Sequence, residues 1–270
     1  MIPIGDDRYT GGPPAIVTLA LIAANVLVFV LWQPTFASGN SQLKQQTFYW
    51  CHALIPYEVS HETSLAEGGS GAARALQRVY GDASDATIGR QIQDYLQRQC
   101  PHKSWLESVF VSMFLHAGWL HIGGNMLFLW IFGNNIEDAM GRVRFTIFYL
   151  LGGFAATALQ TLVTFHWGQA GDTMVPNLGA SGAISAVLGA YAVLLPTASV
   201  LTLVFFFFIH VPAVFFLGFW IFFQLWQGGY SVVHPEAGGG VAFFAHVGGF
   251  LFGLLTVHLF KVRAPLRPTY

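Results

Sequence analysis

A serine hydroxyl attacks a carbonyl only when a base takes its proton, and neutral imidazole suits that task near neutral pH. The chain offers Ser181 within NLGASGAISAVLGAY and His246 within FFAHVGGFLFG. Attack builds negative charge on the carbonyl oxygen, which preorganised donors must face. His121 and Asn125, in HAGWLHIGGNM, are four residues apart and share one face of a helix. The Ser181 N–H, near a helix N-terminus, is a further donor. Gly179 and Gly182 leave room for a substrate backbone. Each residue also has a plainer reading. Serine among glycines packs helices closely, Gly249 and Gly253 form a GxxxG that needs only a neighbouring helix, and a buried histidine is often a hydrogen-bond partner. Their gathering at one depth is what favours chemistry.

The elements that must hold these groups lie in a bilayer. Hydrophobic residues make up 54% of the 270, charged residues only 9%, and mean hydropathy is +0.54. Soluble domains carry roughly 25% charged residues. A soluble enzyme and a disordered chain are thereby excluded, and net charge −1 gives no field for nucleic acid. No Lys or Arg occurs between Arg144 and Lys261, and the acids there are Asp172 and Glu236. About 20 apolar residues span a bilayer. The pattern predicts six spans, near 15–34, 119–137, 145–167, 178–195, 199–226 and 241–260, with loops at Gly168–Asn177, Pro196 and Gly228–Gly240. Spans two, four and six run in the same direction, with their polar residues near their starts.

Basic residues in short loops, Arg142 and Arg144, and Lys261, Arg263 and Arg267 after span six, place both termini on the cytoplasmic side. With no visible targeting segment, a bacterial plasma membrane is the default. The loop from about 37 to 118 then faces outward. It carries a polar insertion at about 60–104, with helical candidates in QRVYGDAS and IGRQIQDYLQRQC, and an apolar SWLESVFVSMFLHAG too short to span. Cys51 and Cys100 bracket the insertion; a bridge and two free thiols both fit, since spacing does not fix pairing. Spans three to six contain no Asp or Glu to orient a histidine, and Asp172 and Glu236 sit in loops, so a Ser–His dyad is expected rather than a triad.

HAGWLHIGGNM, GASGAISAVLGAY and AHVGGFLFG, in that order, closely resemble the rhomboid intramembrane serine proteases over about residues 105–260. The resemblance implies a single all-α membrane domain over 1–270, a six-helix bundle with a long loop after span one. It implies Ser181 as nucleophile, His246 as base, His121 and Asn125 at the oxyanion, and His116 near the mouth of the site. It also implies that Glu137 braces helices, and that span five and its following loop move as a gate. Single-span membrane proteins are the implied substrates, cut in or beside their transmembrane segments. Membrane lipids are the surroundings, and neither cofactor nor metal is expected. One departure is Trp105-Leu106 where many relatives carry Trp-Arg, which puts the usual bracing of that loop in doubt. An inactive client-binding relative, a solute channel and a metal site at His116, His121 and His246 are the rivals. The channel lacks inverted repeats and a charged path, and the metalloprotease spacing is absent.

Overall fold

The computed structural model describes residues 1–6, 14–34, 41–81, 87–233 and 242–263. The chain opens with strand β1 (Ile2–Asp6) and helix α1 (Ile16–Leu27), which ends in a π turn, Val28–Trp32. The loop that follows is helical: α2 (Ser41–His52), α3 (Pro56–His61), α4 (Gly69–Tyr80), α5 (Ile88–Gln99) and α6 (Trp105–Ser112). Helix α7 (Trp119–Phe128) runs through a second π turn, Leu129–Gly133, into α8 (Asn134–Met140). Next come α9 (Arg142–Trp167), α10 (Ser181–Leu194), strands β2 (Ser199–Val204) and β3 (Phe207–Pro212), α11 (Ala213–Val233) and α12 (Phe243–Phe260). Helices α9 and α12 are long and apolar enough to cross a membrane; Ile16–Trp32 and Ser181–Leu194 are shorter apolar helices. The main core lies around α10, whose Ala183, Ala186, Val187, Ala190 and Tyr191 are almost wholly buried.

Two expectations need correction. The fifth span does not begin near 199: Ser199–Pro212 folds as a β-hairpin, and β1 joins it to make an antiparallel sheet ordered β1-β2-β3. The fold is therefore mostly helical rather than purely so. An apolar run fits a buried helix and a strand equally, and Val, Thr, Ile and Phe tip it to strand before Pro212. Helix α11 also extends through Val233, past the expected start of the loop at Gly228. The rest of that loop, with Glu236, and Arg267 lie outside the described residues, as does the end of QRVYGDAS.

Glu137 ties α8 to the start of α1. Its carboxylate accepts from the backbone N–H of Val17 (3.0 Å) and Thr18 (2.7 Å) and from the Thr18 hydroxyl (2.8 Å). These N–H groups open α1, where no intrahelical partner exists, and a negative charge there suits the helix dipole.

The insertion has its own core of Ile55, Leu65, Ala72, Leu76 and Leu96. Two ties close it side by side: Cys51 is bridged to Cys100, and Lys103 pairs with Glu58 at 2.6 Å. The Lys103 ammonium also donates to the Trp50 carbonyl (2.7 Å), while Glu58 accepts from the Leu65 N–H (2.8 Å). Burial pushes the Glu58 carboxyl up, and the ammonium opposes that shift. Cutting either partner leaves the other buried and uncompensated, at a cost of about 3–5 kcal/mol. Glu58→Gln is thus expected to lower the melting temperature of the detergent-solubilised protein clearly, and an unchanged melt would show that the pair contributes little. The bridge closes a loop of 49 residues, so its replacement by Cys51→Ser with Cys100→Ser should cost at most about 4 kcal/mol. Denaturant unfolding of the two forms checks this figure.

Candidate active site

Helix α10 begins at Ser181, so the hydroxyl stands where first-turn N–H groups lack intrahelical partners. Gly179, just before it, has φ +128°, a region that favours glycine. Its N–H donates to the Ser112 carbonyl (2.8 Å), pinning the loop to the end of α6. A Cβ there would come within 3.0 Å of the His121 ring, so glycine is what lets that ring close on the serine.

His246 lies one turn into α12. Its Nε2 is 2.8 Å from the Ser181 Oγ, and its Nδ1 is 2.7 Å from the Gln224 Oε1 of α11. The Trp220 ring, one turn before Gln224, sits 5.9 Å from the imidazole. Serine and histidine meet because α10 and α12 meet. A Cβ on Gly249 would strike the Gly182 carbonyl, one on Gly253 the Ala186 carbonyl, and one on Gly189 the Phe250 carbonyl. The packing role of GxxxG and the approach of the two side chains are one geometric fact.

His121 Nδ1 accepts from the Ala117 N–H (3.2 Å). The neutral ring therefore carries its proton on Nε2, the nitrogen beside Gly179. Asn125 is buried, and its Nδ2 has no partner among the described residues. Both line a cavity of about 570 Å³ with Ser181, Leu188, Trp220 and His246.

His116 lies beside the cavity, its ring against that of His121 (centroids 5.1 Å apart). It is wholly buried, lies outside that cavity, and packs edge-on against Phe29 and His121. Its backbone is held from two sides: Gln33, just past the π turn that ends α1, bonds its N–H and its carbonyl, each at 2.9 Å, and the Tyr49 hydroxyl of α2 donates to the same carbonyl (3.0 Å). Gln33 and Tyr49 thus brace the loop that has Trp105-Leu106. Among the described residues, no group of three or more His, Cys, Asp or Glu could hold a metal.

Sequence reasoning missed Gln224. Reading the chain for acids alone passes over it, yet it is the first polar amide after Pro212, ending the apolar run Ala213–Phe223, and a buried polar group needs a partner.

A helical membrane protein with a serine hydroxyl on an imidazole, beside free donors at a helix N-terminus, is equipped for acyl transfer. The model of the Rhomboid domain matches residues 103–263, so the chain belongs to the rhomboid family. It is 31% identical over 173 residues to "Rhomboid protein 1, mitochondrial" of Saccharomyces cerevisiae, covering 62% of this chain and 45% of that protein. It is 32% identical over 171 residues to "RHOMBOID-like protein 1" of Arabidopsis thaliana (60% and 36%). With "Presenilin-associated rhomboid-like protein, mitochondrial" of Homo sapiens it shares 29% over 191 residues (67% and 46%). The matched stretch spans less than half the length of each. These names correct the expected location: with relatives called mitochondrial, the default of a bacterial plasma membrane with cytoplasmic termini does not stand.

Proposed function

We propose that the protein is a serine endopeptidase that cuts single-span membrane proteins in or beside their transmembrane segment. The observation that carries this reading is the 2.8 Å approach of His246 Nε2 to Ser181 Oγ at the wall of a cavity. In this mechanism the Ser181 oxygen bonds to the carbonyl carbon as its proton passes to Nε2. The oxyanion is met by the His121 Nε2–H, the Asn125 amide and the Ser181 N–H. His246 then gives the proton to the leaving amine, and water repeats the sequence on the acyl-enzyme, with Gly179 giving the substrate backbone room. The bundle crosses the bilayer six times, through Ile16–Trp32, 119–140, α9, α10, α11 and α12. A substrate helix must unwind first, because its carbonyls are otherwise held in hydrogen bonds.

The test is labelling with a fluorophosphonate in mild detergent, followed by mapping of the modified residue. Wild type is expected to be labelled on Ser181 and Ser181→Ala to stay unlabelled with an unchanged size-exclusion profile. Labelling that survives in Ser181→Ala would remove the nucleophile, and a well-folded wild type that never labels would favour a client-binding relative.

A further inference from the structure

A neutral imidazole accepts the serine proton only when its own proton sits on Nδ1, so something must hold that tautomer. Among the described residues no carboxylate faces His246. The titratable group that faces it is His121 of α7, across the cavity; Ser181 approaches from α10, and α11 presents Trp220 and Gln224. Gln224 Oε1, 2.7 Å from Nδ1, is the acceptor that an Nδ1–H requires.

We infer that Gln224 is a positioning residue, whose side-chain carbonyl holds the Nδ1–H of His246 and so keeps Nε2 open toward Ser181. This rests on the peptidase reading above. Gln224 is buried, and the spacing of Ala213, Leu217, Trp220, Gln224 and Gly228 puts it on the inward face of α11. The opposite face, with Phe215, Phe219, Phe222 and Phe223, is exposed. Two helices locked by glycine contacts carry the serine and the histidine, and a third carries the group that sets the tautomer. Displacing α11 would leave the 2.8 Å contact in place and yet release the proton's position.

The experiment measures fluorophosphonate inactivation of full-length wild type, Gln224→Met and Gln224→Glu. Nitrogen-15 spectra of the labelled histidines report the His246 tautomer, and thermal melts report folding. Methionine keeps the volume without a comparable acceptor, so kinact should fall at least about tenfold with KI unchanged, roughly the value of one net hydrogen bond. Glutamate restores an acceptor oxygen and should stay within about threefold of wild type. The Nδ1–H signal should weaken in Gln224→Met alone. Wild-type kinact in Gln224→Met overturns the inference, as do two equally slow variants whose His246 tautomer is unchanged. Failure of the peptidase reading looks different: the wild type itself is silent, and the tautomer spectra alone then decide whether Gln224 holds the imidazole.

Discussion

His246→Ala is expected to remove cleavage of a membrane-anchored substrate almost entirely while the bundle still folds. The serine proton then has no acceptor within reach, since the other nearby imidazole, His121, turns its protonated nitrogen toward the site. In a soluble serine protease, loss of the serine or the histidine costs roughly 10⁶-fold in turnover. Asn125→Ala should cost less, on the order of 10²–10³-fold, because the His121 Nε2–H and the Ser181 N–H remain to face the oxyanion. Turnover of a fluorogenic transmembrane substrate, measured on all three forms with melting checked in parallel, decides the matter. Comparable losses in His246→Ala and Asn125→Ala would mean that the donors do not share the charge in this way.

Gly253→Val should also be damaging, on the scale of losing an oxyanion donor, although the residue lies two turns from the chemistry. The Ala186 carbonyl occupies the space a Cβ would need, and backbone has no rotamer with which to retreat. Helix α12 must therefore shift away from α10, taking His246 with it. Overpacking of this kind costs about 1–3 kcal/mol in stability. The effect on rate is larger, since a misplacement of about 1 Å costs on the order of 10²-fold. Cleavage should fall at least that far in material that still elutes as a folded species. Full activity would show that the dyad distance does not depend on this contact. Gly218→Ala on α11, where a Cβ meets nothing within 4 Å, is the matched control and should stay near wild type.

The site residues were legible because their types are expensive in an apolar chain. Ser181, His246, His121 and Asn125 stand out against long apolar runs, and their positions near the starts of parallel helices fix a common depth. Their approach to one another was legible only indirectly, through glycines that let α12 lie on α10. Gln224 was hidden by a chemical assumption, that an acid must orient the imidazole, when an amide carbonyl accepts the same N–H. What holds the His116 backbone was not legible, because neither Gln33 nor Tyr49 announces a bond to a loop far along the chain. The hairpin at Ser199–Pro212 was hidden by physics: an unbroken apolar run carries no periodicity to separate strand from helix.

The π turn at Leu129–Gly133 sets a phase relation between α7 and α8. Such a turn accommodates one residue more than an α turn, which advances everything beyond it by about 100°. In an uninterrupted helix, Asn125 and Glu137 would point about 120° apart; with one residue absorbed they fall within about 20° of each other. A single stripe can therefore serve the cavity at one end and the start of α1 at the other. Deleting one residue inside Leu129–Gly133 would close the π turn into ordinary α-helix and keep that stripe. Deleting one residue elsewhere between Asn125 and Glu137, with the π turn kept, would swing the carboxylate about 100° off Thr18, so the fold would be undone from the end farthest from the chemistry.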